Sequence, residues 1–209
     1  MKPQIIWRDM EGSATALHWN QRDLYTLDRA MEKTKGRTAC VQAGANLGVF
    51  PKYLSYFFDT VYTFEPSPKL FRIVCKNAPE ENVVKFNAAL GAVRKLISTS
   101  QTRRTKQHMP AHEGITHVSG DGNIPVLLVD DLNLPVLDLL CLDLEGYEPF
   151  ALMGAEKTLL RCKPTLLVEV NNNSGHYGFD RESVRQMVRD YGYTLVERIM
   201  ADELYVFGG

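Results

Sequence analysis

Short apolar runs recur along the chain and alternate with segments in which apolar residues return every three or four positions. Five runs have the length and apolar content of buried strands: residues 38–43, 61–64, 83–89, 137–143 and 165–170. Three of the intervening segments have helical periodicity: 48–58, 68–78 and 148–160. This alternation predicts an α/β fold in which a parallel sheet carries helices on both faces.

The end of the chain departs from this alternation. A predicted helix over 181–192 is followed by two predicted strands, 193–199 and 204–208, which are separated by only about four residues. So short a connection requires an antiparallel hairpin, because parallel strands need a long crossover. We therefore expect an open, mostly parallel sheet of seven strands with an antiparallel hairpin at its C-terminal end.

The chain has the length of one large domain, 209 residues, so we predict a single domain over 1–209. Within an N-terminal helical extension over 1–36, residues 21–33 have apolar spacing typical of an amphipathic helix. Between 94 and 123 the composition shifts to Thr, Arg, Lys, His and Gly with weak apolar periodicity. This segment predicts an elaborated loop or hairpin within the domain.

Composition narrows the classes of function. A net charge of -1 and a pI near 6.5 do not favour a general nucleic-acid binder, which needs a broad basic surface. The four cysteines are scattered without a CxxC pair, which predicts reduced thiols and no zinc site. The sequence shows no secretory signal and no apolar run long enough for a membrane span, so we expect a cytoplasmic protein without a membrane partner.

The stretch "VQAGANLGVF" places Gly44, Ala45, Asn46 and Gly48 at the end of the first predicted strand. Ligands of open parallel sheets bind at these carboxyl ends. Because Asn46 occupies the second glycine position of GxGxxG, the turn does not fit a dinucleotide site, and it has no lysine followed by Ser or Thr for a P-loop. Two interpretations remain: close packing of strand and helix, or room for a ligand.

Glu65 favours the ligand interpretation. It ends the second predicted strand, about 20 residues beyond Gly44, and Pro66 follows it directly. A carboxylate at this position can accept hydrogen bonds from both hydroxyls of a nucleotide ribose. At the end of the third predicted strand, Asn87, Ala88 and Ala89 would leave room for an adenine ring.

Three acidic residues, Asp143, Glu145 and Glu148, follow the fourth predicted strand. Carboxylates crowded at a crevice repel one another unless cations, protons or hydrogen-bond donors compensate, so Asp143 and Glu145 indicate a site. Glu148 is better explained as the first residue of the next helix. Asp143 could also form a magnesium site with Glu169 and Asn171, but no fixed spacing identifies one, and we assign no metal ligand.

The loop after the fifth predicted strand, "NNNSGHYGF", contains His176 and Tyr177. Both are candidates for contact with a substrate, although a single histidine in a loop is more often simply exposed. His176 is the weaker candidate for a catalytic base, after Asp143 and Glu145.

Together these segments resemble the FkbM-type methyltransferases. The resemblance rests on "VQAGANLGVF", "VYTFEPSPKLF", "VLLVDDL", "LDLLCLDLEGYEPFALMGAEKTL" and "PTLLVEV", in this order, and covers roughly residues 38–172. It implies a class I methyltransferase (Rossmann-like) fold, S-adenosylmethionine as cofactor, and methylation of a hydroxyl on a sugar or small metabolite.

The resemblance also implies roles for individual residues. The turn Gly44, Ala45, Asn46 and Gly48 would hold the methionyl part of the cofactor, Glu65 its ribose, and Asp143 and Glu145 would line the mouth. Two positions depart from the family pattern: Gln42 replaces a common acid two positions before the first glycine, and Cys141 replaces a frequent lysine. Gln42 could weaken the support of the cofactor's ammonium group.

Two alternatives to an enzyme acting on a small molecule stay open. Gln42 is compatible with a module that binds S-adenosylmethionine without catalysis and acts as a regulatory partner. The basic stretch "RRTKQH" at 103–108 is compatible with a nucleic-acid methyltransferase, which the charge of -1 makes the least favoured of the three.

Overall fold

The computed structural model of the protein describes residues 24–102 and 115–208. Its centre is a seven-stranded sheet with the strand order β3-β2-β1-β7-β8-β10-β9. The strands of this sheet are β1 (Ala39–Ala43), β2 (Thr60–Phe64), β3 (Val83–Phe86), β7 (Leu139–Leu142), β8 (Thr165–Glu169), β9 (Tyr193–Ile199) and β10 (Asp202–Phe207). The first five strands pair in parallel, and β10 pairs antiparallel with both β8 and β9.

The sheet confirms the predicted fold class, including the C-terminal hairpin. Its strand order reverses between β1 and β7, since the chain runs outward from β1 through β2 to β3 and returns to the other side of β1. Such a reversal opens a crevice at the carboxyl ends of the two central strands. The turn that begins at Gly44 and the loop that begins at Asp143 therefore lie on the two sides of this crevice.

Helices cover both faces of the sheet. They are α1 (24–33), α2 (Val49–Ser55), α3 (Pro68–Asn77), α4 (Glu148–Met153), α5 (Glu156–Cys162) and α6 (Arg181–Asp190). The alternation along β1 divides the core: Val41 packs in a cluster with residues of α4 to α6, while Cys40 packs with residues of α1 and α2. Successive side chains of a strand point to opposite faces of the sheet. Because helices cover both faces, nearly every residue of a central strand has to be apolar.

The predicted third strand, 83–89, is shorter in the structure. β3 ends at Phe86, and Ala89 belongs instead to β4 (Ala89–Leu90) in a separate sheet. Between them, the side-chain amide of Asn87 donates hydrogen bonds to the carbonyls of Glu65 and Pro66, at 2.8 and 3.1 Å. These bonds fix the bend where the chain leaves the central sheet.

The predicted helical segment 148–160 is two helices, α4 and α5, with Gly154 between them. A Cβ atom at Gly154 would lie 2.0 Å from the carbonyl oxygen of Gly91. The chain therefore needs a glycine at this position, and the close approach of Gly91 coincides with the break between the helices.

The predicted insertion at 94–123 contains one strand of a second sheet and most of another. β5 (Lys95–Thr102) pairs antiparallel with β6 (Ile115–Leu127), and β4 pairs in parallel with β6, giving the order β4-β6-β5. The basic stretch 103–108 and the start of the predicted N-terminal helix lie outside the described residues. Every helix within 24–102 and 115–208 is too short or too polar to span a bilayer.

Candidate functional site

A cavity opens at the carboxyl ends of the central strands, where the strand order reverses. Its lining residues come from the turns after β1, β2, β3 and β7, from the end of β2 and from α3, β4 and β6: Gly44, Asn46, Phe64, Glu65, Pro66, Leu70, Ala88, Ala89, Leu90, Val118, Asp143, Leu144, Glu145 and Tyr147. These residues combine small and apolar side chains with three carboxylates. None of them is a lysine or an arginine.

The turn after β1 is fixed tightly against both neighbouring strands. The N–H groups of Gly44 and Ala45 both donate to the Phe64 carbonyl at 3.1 Å. Gly44 has a φ of 84°, and a Cβ atom there would lie 1.8 Å from the carbonyl oxygen of Asp143. Close packing therefore accounts for this glycine without a ligand, although Gly44 and Asn46 also line the cavity.

Gly48 directly precedes α2 and packs against α3, where a Cβ atom would lie 3.3 Å from Val74 Cα. Ala45 is buried, at 3% exposure. Neither residue lines the cavity formed by the described residues. The expected cofactor-binding turn is thus divided: Gly44 and Asn46 face the cavity, while Ala45 and Gly48 support the turn from behind.

The carboxylate of Glu65 is held in place by backbone donors. Asn46 N–H donates to its Oε2 and Ser67 N–H to its Oε1, both at 2.9 Å. The side chain is 4% exposed, and burial raises the pKa of Glu65 to about 7, although the two N–H donors oppose this shift. Each oxygen has a further lone pair with which to accept a hydrogen bond from a ligand in the cavity.

The loop after β7 places Asp143 and Glu145 at the cavity. Glu145 has a φ of 53°, a conformation that few residues other than glycine adopt. Its Oε2 accepts a hydrogen bond from Asn173 Nδ2 at 2.7 Å, which ties the loop to the segment after β8. Asp143 is exposed on the side that faces the cavity. The two predicted catalytic carboxylates therefore lie in the same cavity, next to Tyr147.

Asp143 also meets two further carboxylates behind the cavity. One carboxylate oxygen each of Asp143, Glu148 and Glu169 lie within 4.8 Å of one another. Withdrawal from bulk water and repulsion by Glu169 and other acids raise the pKa of Asp143 well above its ordinary value. Burial is also the main cause that raises the pKa of Glu148 to about 8 and that of Glu169 to about 7.

Glu148 begins a helix, as its position in the sequence predicts, and it also belongs to the acidic cluster. The helix α4 does begin at Glu148, but the side chain is 1% exposed and turns back to accept a hydrogen bond from Leu144 N–H at 2.6 Å. Asn171, the third residue of the magnesium site considered from the sequence, uses its side-chain oxygen to accept from Asn173 N–H at 2.7 Å. The acidic cluster therefore contains Glu148, whose position in the sequence indicates only the start of a helix.

His176 and Tyr177 lie in a 3-10 turn (Asn172–Tyr177) that touches strand β6. The ring of exposed His176 lies edge-on to His117, with the ring centroids 5.1 Å apart. Burial and the neighbouring His176 lower the pKa of His117. Neither histidine lines the described cavity, whereas Val118, which is bonded to Tyr177, does.

Gln42 is fully buried within the sheet and does not line the described cavity. Its Oε1 accepts a hydrogen bond from Thr63 Oγ1 at 2.6 Å, while its Nε2 has no hydrogen-bond partner. Cys141 lies beside it in the register of β1 and β7. In this structure, any influence of Gln42 on a ligand would pass through the strand that carries the glycine turn.

The fold is that of the class I methyltransferases. Residues 42–195 match the model of the methyltransferase FkbM domain, and the chain belongs to this family. A search of curated proteins found no significant match.

Solved structures with similar folds are methyltransferases and related enzymes. One is the methyltransferase FkbM from Methylobacillus flagellatus KT, with 16% identity and a TM-score of 0.53 over 81% of this chain and 43% of that protein. Our chain thus spans less than half the length of this relative. Another is the magnesium protoporphyrin IX methyltransferase ChlM from Synechocystis PCC 6803 with bound SAM, with 13% identity and a TM-score of 0.50 over 91% and 80% of the two chains.

A third is the precorrin 8W decarboxylase from Methanobacterium thermoautotrophicum, with 12% identity and a TM-score of 0.53 over 88% of our chain and 89% of that protein. At these identities the likeness concerns the fold alone. The family, in contrast, follows from the match over residues 42–195.

Proposed function

We propose that the protein binds S-adenosylmethionine in the cavity and transfers its methyl group to a hydroxyl of a sugar or small metabolite. The observation that carries this proposal is the charge of the cavity. Glu65, Asp143 and Glu145 line it, and no lysine or arginine does so among the described lining residues. A ligand with a sulfonium and an ammonium group would neutralise the negative charge of these carboxylates.

The shape and chemistry of the lining fit this cofactor. Glu65 holds a nearly buried carboxylate at the end of β2, which suits the two hydroxyls of a ribose. Ala88, Ala89 and Leu70 provide small and apolar surface beside it for an adenine ring. Like most ligand sites, the cavity thus combines an apolar wall with a few polar groups that converge on the ligand.

The bound cofactor would supply an activated methyl group, so the protein has to position the acceptor and manage its proton. Asp143 is the proposed proton acceptor, because it faces the cavity and its pKa is raised by withdrawal from bulk water into the crevice and by neighbouring carboxylates. A carboxylate with a raised pKa is suited to take a proton from a hydroxyl as that hydroxyl attacks. Glu145, fixed by Asn173, would orient the acceptor at the same mouth.

Strand β6 supports an acceptor site at the mouth of the cavity. Val118 lines the cavity from this strand, and Tyr147 lines it from the loop after β7. A mouth lined by these two side chains suits a small acceptor or a single sugar ring better than a surface of a large partner.

The proposal is tested in two steps. Calorimetric titration of the purified protein with S-adenosylmethionine and S-adenosylhomocysteine should give heat with both. No heat with either compound would contradict the proposal. Incubation with S-adenosylmethionine and a panel of sugars, small alcohols, peptides and oligonucleotides should then add the mass of one methyl group to a hydroxylated small molecule. Cofactor binding without any methylated product would favour the non-catalytic module.

A further inference from the structure

Three carboxylates meet behind the cavity, at the ends of two adjacent strands and the start of one helix. Asp143 follows β7, Glu169 ends β8, and Glu148 begins α4. One oxygen from each lies within 4.8 Å of the others. At this separation three ionised carboxylates repel one another strongly unless something neutralises them.

Glu148 gives an independent reason to expect a ligand at this cluster. Its side chain is 1% exposed, and its Oε1 accepts from Leu144 N–H at 2.6 Å, but its Oε2 is buried without a hydrogen-bond partner. The Oε2 atom of Glu169 is also buried and unpartnered. Buried carboxylate oxygens normally have a donor or a cation, so these two oxygens indicate a missing partner.

The described part of the chain does not supply that partner. No ion pair joins Asp143, Glu148 or Glu169 to a lysine or arginine within it. The nearby buried carboxylate of Glu203 shows the contrast, because Arg185 binds it at 2.6 Å and Arg198 at 3.0 Å. Within the described residues the cluster thus has no basic side chain to compensate it, whereas Arg185 and Arg198 compensate Glu203 directly.

We propose that Asp143, Glu148 and Glu169 bind a hard divalent cation such as Mg²⁺, Mn²⁺ or Ca²⁺. All three ligands are oxygens, as these ions prefer. At ligand distances of 2.3–2.6 Å, oxygens on opposite sides of a Ca²⁺ ion are about 5 Å apart, so the cluster needs little movement to bind one. Three protein ligands leave coordination positions for water or for an acceptor oxygen.

The cation site shares one residue with the cavity. Asp143 is exposed to the cavity, while Glu148 and Glu169 lie behind it and are not among its described lining residues. A cation held here would stand beside the mouth and lower the pKa of an acceptor hydroxyl that it binds. It would use one oxygen of Asp143 and leave the other for the proton of that hydroxyl. The site itself is argued from the three carboxylates and does not depend on methyl transfer.

Direct binding of Mn²⁺ tests the proposal without any assay of activity. The full chain, freed of metal with a chelator, is titrated with Mn²⁺, and the free ion is followed by its electron paramagnetic resonance signal. We expect one bound Mn²⁺ per chain, displaced by Mg²⁺ or Ca²⁺ in excess. Absence of binding up to millimolar Mn²⁺ would overturn the cation site and indicate that protons neutralise the cluster.

Two isosteric variants locate the bound ion. Glu148→Gln and Glu169→Gln should each weaken Mn²⁺ binding at least tenfold, because each removes a charged ligand. Glu156→Gln is the matched control, since Glu156 is exposed on the neighbouring helix α5 and should leave binding unchanged. Binding of Mn²⁺ by both cluster variants with wild-type affinity would place the ion elsewhere and refute the assignment.

Two further measurements distinguish loss of the cation site from misfolding of a variant and from failure of the proposed function. Circular dichroism and a thermal melt in chelator establish that each variant is folded, and Mg²⁺ should raise the Tm of the wild type but not of folded Glu148→Gln. A Tm shift of equal size in both proteins would also refute the assignment. Calorimetry with S-adenosylmethionine in chelator tests the proposed function separately, because loss of the cation site does not require loss of the cofactor site.

Discussion

Tyr177 and Val118 exchange two hydrogen bonds across 59 residues of sequence: Val118 N–H donates to the Tyr177 hydroxyl at 3.0 Å, and the hydroxyl donates to the Val118 carbonyl at 3.2 Å. Tyr177 lies in the turn after β8, and Val118 lies in β6 and lines the cavity. The hydroxyl thus has both a donor and an acceptor in the backbone of β6. We therefore expect Tyr177 to hold Val118, and with it the wall of the cavity, in position.

Tyr177→Phe should loosen β6 at the cavity. It removes both hydrogen bonds and leaves the Val118 N–H without this partner, so we expect a loss of about 1–3 kcal/mol of local stability. Hydrogen exchange measured by mass spectrometry should show faster exchange in peptides around Val118, while affinity for S-adenosylmethionine falls less than about threefold. Tyr56→Phe, at an exposed surface position, is the control. Unchanged exchange around Val118 would contradict the positioning role.

Glu65→Gln should weaken cofactor binding and alter its dependence on pH. If Glu65 accepts ribose hydroxyls, its charge contributes about 1.5–3 kcal/mol, and its replacement should raise the Kd for S-adenosylmethionine about tenfold or more at pH 8. Calorimetry measures this change. Glu81→Gln, an exposed carboxylate after α3, should leave the Kd unchanged. A Kd for Glu65→Gln within threefold of the wild type would exclude the ribose contact.

The burial of Glu65 determines how the affinity for S-adenosylmethionine should change with pH. Because burial raises the pKa of Glu65 to about 7, the carboxyl is mainly protonated at pH 6 and mainly ionised at pH 8. The ionised form accepts hydroxyl donors better, so wild-type affinity should rise through this range and then level off. Asp143 and Glu145 face the same cavity, and their contributions remain in Glu65→Gln. The difference between the two pH profiles therefore isolates Glu65.

The same shift affects stability in the absence of ligand. The folded state holds a proton on Glu65 up to about pH 7, whereas an exposed carboxyl releases it near 4.5. The free energy of unfolding should therefore fall as pH rises between these values, and this part of the fall should be absent from Glu65→Gln.

Most of the fold could be predicted from the sequence because its signals are local. Apolar runs, helical spacing and the short connection before β10 were sufficient to predict a mostly parallel sheet with a terminal hairpin. The bend at Asn87 and the break at Gly154 could not be predicted in this way. Both depend on contacts with distant parts of the chain, the carbonyl of Glu65 in one case and that of Gly91 in the other.

The candidate site could likewise be predicted only where local sequence signals are enough. Gly44, Asn46, Glu65, Ala88, Asp143 and Glu145 line one cavity, since the carboxyl ends of parallel strands meet at one edge. The helix predicted to begin at Glu148 is confirmed, but the burial of this residue could not be predicted, because its spacing fits an ordinary first helical turn and only the tertiary fold buries it. Tyr147 and Val118 carried no sequence signal that would distinguish them from core residues.

Gly44→Ala should destabilise the protein through a clash at the crevice. The added Cβ would lie 1.8 Å from the Asp143 carbonyl oxygen, and the φ of 84° is itself unfavourable for alanine. Gly178→Ala is a matched control, because Gly178 has a φ of 85° and a Cβ atom there would have no neighbouring atom within 4 Å. Urea denaturation should show about 1 kcal/mol lost in the control and several kcal/mol in Gly44→Ala. Equal losses of stability in the two variants would mean that β1 and β7 separate easily at Gly44.

Asp143→Asn should reduce turnover far more than cofactor binding. As the proposed proton acceptor it contributes mainly when the acceptor hydroxyl attacks, and loss of such a group typically costs about 10²–10⁴ in rate. The rate is measured as methylated product by mass spectrometry, with the acceptor found in the panel, and the Kd for S-adenosylmethionine by calorimetry. Asp59→Asn is the control, because Asp59 is exposed just before β2, at the opposite end of that strand from Glu65.

The fold itself should tolerate Asp143→Asn. Withdrawal from bulk water and nearby carboxylates raise the pKa of Asp143, so its charge opposes folding at neutral pH and its removal should keep or raise the Tm. A folded variant that loses turnover and keeps its cofactor supports the role in proton transfer. Equal losses of turnover and cofactor affinity would instead make Asp143 a cofactor contact, and Glu145, the other predicted carboxylate at the mouth, would then be the residue to test as the base.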